Sequence, residues 1–320
     1  MKYIAYGIDR ENANQDLIRR ISEIAPEYSV ISGQSRNELD AYLGEIEIAF
    51  RSPDTELLTE MPSLRWYQAW SAGVDHLIAY DAIRNGDFQI TSASGIHPVP
   101  MAEHIFSLLL SLSRGLVRNN LYRQERRWVK VDQQSLFELE GKTMLILGAG
   151  RIGRRTATVA RAFGMRVIAV KRRHLERLGP YDEVVAWEAF REYLGRADVV
   201  LNILPLTPDT EGLFGDKEFS QMKSEAVFLN LGRGKTVKQQ ALIKALEKGE
   251  ILAAGLDVFD PEPLPDTSPL WRMENVAMTC HYAGFTPHYE ERAEEIFLAN
   301  LRRYLDGETL ENLADRSRGY

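Results

Sequence analysis

Three glycines constrain this chain more than any other feature. They stand in the stretch Lys142 to Gly153, Lys-Thr-Met-Leu-Ile-Leu-Gly-Ala-Gly-Arg-Ile-Gly, spaced Gly148-x-Gly150-x-x-Gly153. Met144 to Leu147 is a short apolar run of the kind that lies inside a parallel sheet, and Ile152 to Phe163 carries apolar residues at helical spacing. A strand turning through such glycines into a helix suits a dinucleotide. The first glycine permits the turn, the second lets backbone approach a pyrophosphate, and the third lets helix and strand pack closely, with the phosphates at the positive helix end. A further strand at Arg166 to Val170 completes a βαβ unit, and that context raises the spacing above a bare glycine turn. Arg151 and Ile152, inside the turn, count with the three glycines as cofactor-binding residues.

The second strand of such a unit usually ends in an acid that accepts hydrogen bonds from the adenosine ribose, about 20 residues past the glycines. Here the chain reads Val170-Lys171-Arg172-Arg173, with no carboxylate in reach along the sequence. An acid would repel the 2′-phosphate of NADP, whereas these bases can make charge-assisted hydrogen bonds to it, each worth about 1.5–3 kcal/mol. Lys171, Arg172 and Arg173 therefore predict a preference for NADP(H) over NAD(H).

At 320 residues the chain can hold two domains, each with its own core. Hydrophobic residues at 44% and charged residues at 27% place it among globular proteins. A net charge of −7 offers no electrostatic footprint for nucleic acid or an anionic membrane. The apolar material before Asp9 is too short for a signal peptide, and no run is long enough to span a bilayer. The single cysteine, Cys280, leaves no internal disulfide and no cysteine-based zinc site. A cytoplasmic protein without a metal is the expectation.

Short apolar runs alternate with helical patterns from the start, which predicts parallel α/β layers. Strands are expected near Tyr3 to Tyr6, Tyr28 to Ile31, Ile46 to Phe50, Arg65 to Ala69 and Phe88 to Thr91. Helices are expected at Asn14 to Ile24, Arg36 to Leu43 and Thr55 to Met61, with Asn14 and Thr55 as caps. Ser92 to Pro100, broken by two prolines that cannot continue regular structure, reads as a domain boundary, and Met101 to Tyr122 as one long helix. Later strands are expected near Glu183 to Ala186, Asp198 to Ile203, Ala226 to Leu231, Leu252 to Val258 and Val276 to Thr279. A final helix, Pro287 to Leu305, should bury Ile296, Phe297, Leu301, Tyr304 and Leu305.

Ligands of open α/β sheets bind beyond the carboxyl ends of the strands. Three ionisable residues follow predicted strands there: Arg233 in Asn-Leu-Gly-Arg-Gly, Glu262 in Asp-Pro-Glu-Pro and His281 in Thr-Cys-His-Tyr. Reduction of a 2-keto acid by a nicotinamide needs a fork for the carboxylate, which Arg supplies, and a proton donor near neutral pH, which His supplies. Glu262 can orient the histidine and favour its protonated form.

These residues belong to a wider pattern. With Ser71-Ala72-Gly73-Val74-Asp75, Leu204-Pro205-Leu206-Thr207-Pro208-Asp209-Thr210, Asn230-Leu231-Gly232-Arg233-Gly234, Gly255-Leu256-Asp257-Val258, Glu262-Pro263 and His281 with Ala283-Gly284, the chain resembles the D-isomer-specific 2-hydroxyacid dehydrogenase family over nearly its whole length. The resemblance implies an α/β fold of two doubly wound parallel-sheet domains with a cleft between them. One is a flavodoxin-like substrate domain of residues 1–97 completed by 288–320, the other a Rossmann-type cofactor domain of residues 98–287. It implies Arg233, Glu262 and His281 as the catalytic set, with Arg233 and His281 also touching substrate, and backbone contacts to the substrate carboxylate from Ala72, Gly73 and Val74. Leu204, Pro205, Thr210, Leu231, Ala283 and Gly284 would line the cofactor, with Asp257 on its nicotinamide side. Family members are commonly dimers built on the long helix, so a homodimer is implied.

The basic segment resembles the NADPH-using glyoxylate and hydroxypyruvate reductases, which run toward the D-2-hydroxy acid. Cys280 departs from the proline common before the family's histidine, and it is expected to be buried and inert. His97, in the hinge beside Pro98, is a further candidate for touching substrate, and Trp70, directly before the implied carboxylate loop, for shaping the pocket. The same fold also serves formate and phosphite oxidation; glutamine in place of Glu262 marks the formate branch, while the phosphite branch keeps the acid. Nucleotide-sensing corepressors share the fold and even the catalytic residues, and stand as the non-enzymatic alternative.

Overall fold

Apolar runs rich in Val, Ile and Leu, buried on both faces, are what all-parallel sheets require, and the chain forms two of them. The computed structural model describes residues 2–51, 53–172 and 179–316. These fall into two units, residues 1–96 with 286–320, and residues 97–285.

The first unit holds β1 (Lys2–Tyr6), β2 (Tyr28–Ser32), β3 (Ile46–Phe50), β4 (Trp66–Gln68) and β5 (Gln89–Thr91) in the order β2-β1-β3-β4-β5, all parallel. The late helix Tyr289–Leu305 completes its core: Phe297 stacks on Phe50 with ring centroids 4.1 Å apart and on Trp66 at 5.3 Å. Asn300 Nδ2 donates to Gln68 Oε1 at 3.2 Å, anchoring the same helix through a buried polar contact. The helix turns a slightly different face inward than expected. Ala293, Leu298 and Leu301 are buried with Phe297, while Ile296, Tyr304 and Leu305 are only partly covered.

Helix Gln15–Ile24 opens at Asn14, whose Oδ1 accepts the N–H groups of Asp16 and Leu17 at 3.1 and 3.3 Å, as the cap reading requires. The Thr55 cap fails. Asp54 Oδ1 takes the N–H of Glu56 and its carbonyl takes that of Leu57, so a local side-chain turn leaves only a 3-10 segment, Leu57–Glu60. The segment Arg36 to Leu43 likewise keeps only Arg36–Leu39 as α-helix before passing into the 3-10 turn Asp40–Glu45.

The second unit holds β6 (Thr143–Leu147), β7 (Arg166–Lys171), β8 (Glu183–Ala186), β9 (Val199–Asn202), β10 (Val227–Asn230), β11 (Ala253–Leu256) and β12 (Val276–Met278). Their order is β12-β11-β10-β9-β6-β7-β8, again all parallel. The chain winds outward from β6 to β8 and then returns to β9 on the other side. The switch point therefore lies between β6 and β9, where such sheets bind ligands.

Two expectations about the helical stretch need correction. Pro98 and Pro100 do not interrupt regular structure; they open the helix Pro98–Ser113, where a missing N–H costs nothing because the first turn has no partner for it. The stretch Met101 to Tyr122 is not one helix. Gly115, at φ +69°, divides Pro98–Ser113 from Leu116–Gln124. Met101, Ile105, Leu108, Leu109 and Leu112 are core residues of this unit, whereas Leu116, Leu121 and the nearby Trp128, at 96%, are exposed. Among the described residues no helix is long and apolar enough to cross a membrane.

Candidate active site

The glycine turn leaves β6 at the switch point. Gly148 has φ +117°, and a Cβ there would stand 2.9 Å from the Ile203 carbonyl oxygen, so the turn lies tight against the segment leaving β9. A Cβ on Gly153 would reach 2.4 Å from the Gly148 carbonyl oxygen, which only glycine avoids. At Gly150 the opposite holds, since a Cβ would meet nothing within 4 Å. Helix Arg151–Ala162 begins there without a side-chain cap and without an acid in its first turn. Open space before uncapped N–H groups at the positive end of a helix fits a pyrophosphate.

Lys171 closes β7, next to the turn, as the sequence requires. Arg172 is more engaged than expected. Its Nη2 lies 2.9 Å from Asp209 Oδ2 and its guanidinium sits 5.3 Å from the Trp187 ring centroid. No carboxylate stands in reach along the sequence, but the loop after β9 brings one across from 37 residues away. Arg173 lies outside the described residues.

That loop fastens itself. Thr210, 2% exposed, donates from its hydroxyl to the Pro205 carbonyl at 2.7 Å and accepts the Thr207 N–H at 2.8 Å. Its base is tied by Leu204 N–H to Asn202 Oδ1 at 3.3 Å. Thr210 is thereby a brace of the loop, and its hydroxyl is already committed.

Arg233, Glu262 and His281 follow β10, β11 and β12, three adjacent strands, at their carboxyl ends. Glu262 stands between two cis X–Pro bonds, Asp260–Pro261 and Glu262–Pro263. Its Oε1 accepts the Phe259 N–H at 2.8 Å, and its Oε2 meets His281 Nδ1 at 2.7 Å. A carboxylate only accepts, so Nδ1 carries the proton and Nε2 is the ring nitrogen turned to other work. The Arg233 and Glu262 loops pack backbone on backbone. A Cβ at Gly234 would fall 1.6 Å from the Phe259 carbonyl oxygen. Arg233 Nη1 donates to the Gly232 carbonyl at 2.9 Å, and its own carbonyl accepts Thr236 Oγ1–H at 2.6 Å. His281 has φ +54°, a conformation that costs a bulky residue about 1–3 kcal/mol unless its surroundings hold it.

Sequence reasoning missed the polar layer beneath these groups. Asn202, 0% exposed, donates from Nδ2 to Asn230 Oδ1 at 3.0 Å and to Thr236 Oγ1 at 2.7 Å. The signal was present: a buried apolar strand that ends in Asn, twice. Asp257 is also committed inward, its carboxylate accepting from Thr279, Tyr282 and Ala283. Leu231 and Ala283 are buried, and Gly284 lies under the His97 ring, whose Cδ2 would be 2.6 Å from a Cβ there. Cys280, expected to be buried, is exposed: the chain has left β12 by then and turns outward toward His281.

In the first unit, Ala72, Gly73 and Val74 follow β4, with Ser71 Oγ–H donating to the Gly73 carbonyl at 2.7 Å. Trp70 before them is 8% exposed and donates from Nε1 to Glu290 Oε2 at 3.1 Å. Among the described residues no group of three or more His, Cys, Asp or Glu side chains is placed to hold a metal ion.

Residues 106–283 match the family described as D-isomer specific 2-hydroxyacid dehydrogenase, NAD binding domain. The chain is 33% identical over 271 residues to a glyoxylate reductase of Korarchaeum cryptofilum, covering 82% of this chain and 80% of that protein. It is 37% identical over 262 residues to a glyoxylate/hydroxypyruvate reductase B of Enterobacter sp. strain 638, covering 81% and 80%. Among solved structures, a D-isomer specific 2-hydroxyacid dehydrogenase from Xanthobacter autotrophicus Py2, in complex with NADPH and MES, is similar at a TM-score of 0.84 and 28% identity, covering 100% of this chain and 99% of that one.

Proposed function

The chain belongs to the D-isomer specific 2-hydroxyacid dehydrogenase family, and within it we propose an NADPH-dependent reductase of small 2-keto acids such as glyoxylate and hydroxypyruvate, giving D-2-hydroxy acids where the product is chiral. The observation that carries this reading is the His281–Glu262 pair at 2.7 Å, standing with Arg233 on the sheet that also bears the glycine turn. The names of the two reductase relatives and the NADPH in the Xanthobacter protein support it.

NADPH, when bound, supplies the hydride that reaches the substrate's carbonyl carbon. His281 gives the proton to the carbonyl oxygen from Nε2, and Glu262, holding Nδ1–H, stabilises the imidazolium before transfer. Arg233 offers a planar fork to the carboxylate and the polarised carbonyl. The backbone of Ala72, Gly73 and Val74 is assigned the substrate carboxylate. Gly148, Gly150, Arg151, Ile152 and Gly153 would hold the pyrophosphate, and Lys171 with Arg172 and Arg173 the 2′-phosphate. Arg172 must then exchange or share Asp209 with that phosphate. A homodimer is part of the proposal, with the exposed Leu116, Leu121 and Trp128 as the apolar surface that a second copy would cover.

Initial rates of NADPH and NADH consumption over a panel from glyoxylate to phenylpyruvate test the reading. Fast turnover of the small keto acids with NADPH is the expected outcome. No turnover of any keto acid with either cofactor, despite tight nucleotide binding, would overturn it.

A further inference from the structure

His281 stands in a backbone conformation that side-chain-bearing residues rarely adopt, and one buried residue holds it there. Asp257, 2% exposed, receives three consecutive backbone N–H groups: His281 on its carbonyl at 2.8 Å, Tyr282 on Oδ1 at 3.1 Å and Ala283 on Oδ2 at 3.0 Å. The orientation of that carboxylate is set from behind by the Thr279 hydroxyl, 2.6 Å from Oδ1.

Thr279 has one hydroxyl proton, and an acceptor-only carboxylate takes it. The remaining contact of Thr279 Oγ1 is His104 Nε2 at 2.8 Å, so there the imidazole must donate. The chain of donors runs in one direction, from His104 Nε2–H to Thr279 Oγ1–H to Asp257. His104 projects from helix Pro98–Ser113, and its ring also meets Tyr282 edge-on at 5.3 Å between centroids. It thus touches the histidine loop on both sides of His281. Burial holds the His104 imidazole below the ordinary histidine range, against a smaller opposite pull from Asp257. The donation from Nε2 is available to the neutral ring as well as the charged one.

We propose that His104 and Thr279 are positioning residues for the proton donor: their directed hydrogen bonds fix the Asp257 carboxylate, which holds the Tyr282 and Ala283 N–H groups directly after His281 and so keeps His281, bound by its own N–H to the Asp257 carbonyl, in its left-handed conformation. The proposal rests on His281 being the proton donor of the reductase reading. It assigns a function to a polar pair whose hydrogen bonds lead to the histidine loop through Asp257. The hydrogen bond of the His104 ring goes to Thr279, while that of the His281 ring goes to Glu262, so the polar link between them runs through Thr279 and Asp257.

The test compares four variants of the full chain: His104→Phe and Thr279→Val, which keep volume and remove the donor, with His104→Gln and Thr279→Ser, which keep it. For the first pair kcat should fall about tenfold or more while the NADPH Kd stays within about twofold, because misplacement of a proton donor penalises the reaction step. The second pair should stay within about threefold of the parent kcat. The imidazole NMR signals of His281, assigned by their loss in His281→Ala, should move in the first pair and stay in place in the second. A fall in kcat of less than about threefold in both His104→Phe and Thr279→Val overturns the proposal. So does an equal fall in all four variants, or a parallel loss of NADPH affinity. If the parent protein turns over no keto acid, the reductase reading fails, and the NMR comparison still decides the positioning.

Discussion

Both sheets send their first strand into a helix, and the two helices begin in opposite ways. Helix Gln15–Ile24, after β1, is closed by its own Asn14 side chain, carries Asp16 in its first turn, and has Asn14 Nδ2 tied to Glu294 at 2.8 Å. Helix Arg151–Ala162, after β6, begins at Gly150 with neither cap nor acid and with room for an incoming group. The windings are alike, parallel and doubly wound. Turn chemistry alone separates a helix end that satisfies itself from one that is left for an anion.

The contrast is sharpened most by His281→Ala. If the chemistry belongs to the second sheet's strand ends, kcat should fall by about 10²–10⁴ with NADPH binding near normal. Collapse of NADPH affinity with chemistry intact would move His281 to the cofactor's side and blur the division. Next in size is replacement of Lys171, Arg172 and Arg173 by uncharged residues, which should raise the KM for NADPH about ten- to a hundredfold and that for NADH far less. Equal effects on both cofactors would mean that the segment is only a solvated edge.

A direct exchange of the two helix ends comes third. Gly150→Asp gives the second helix the first one's kind of cap, and the open space should let it fold normally. Its carboxylate would occupy the helix end and repel phosphate, so fluorescence titration should show NADPH affinity down by about tenfold. Unchanged affinity would break the comparison. The smallest effect belongs to Asn14→Ala, which should cost about 1 kcal/mol in denaturant unfolding and leave kcat and KM untouched.

The glycine turn and the strands were legible because their patterns are local: an apolar run of fixed length, then a turn whose steric need only glycine meets. The places of Arg233, Glu262 and His281 in the fold were legible for a related reason, since each lies in the segment that leaves the carboxyl end of a strand of one sheet. What could not be read was contact made at long range. Asp209 reaches Arg172 from another loop, and His104 reaches Thr279 from 175 residues away. Gly115 was hidden by the apolar spacing on both sides of it, which continues smoothly through a break that the left-handed backbone imposes. Thr55 looked like a cap because nothing in its own neighbourhood reveals that Asp54 will organise the turn first.

The first unit is assembled from both ends of the chain, with Phe297 lodged between Phe50 and Trp66. During synthesis residues 97–285 emerge whole before the helix Tyr289–Leu305 is made. The cofactor-turn unit can thus settle while its neighbour still lacks the aromatic wedge of its core, and the helix Tyr289–Leu305 is the element that completes that core. A nonsense codon between 286 and 297 would therefore leave Arg233, Glu262 and His281 encoded and yet strip the other unit of its keystone.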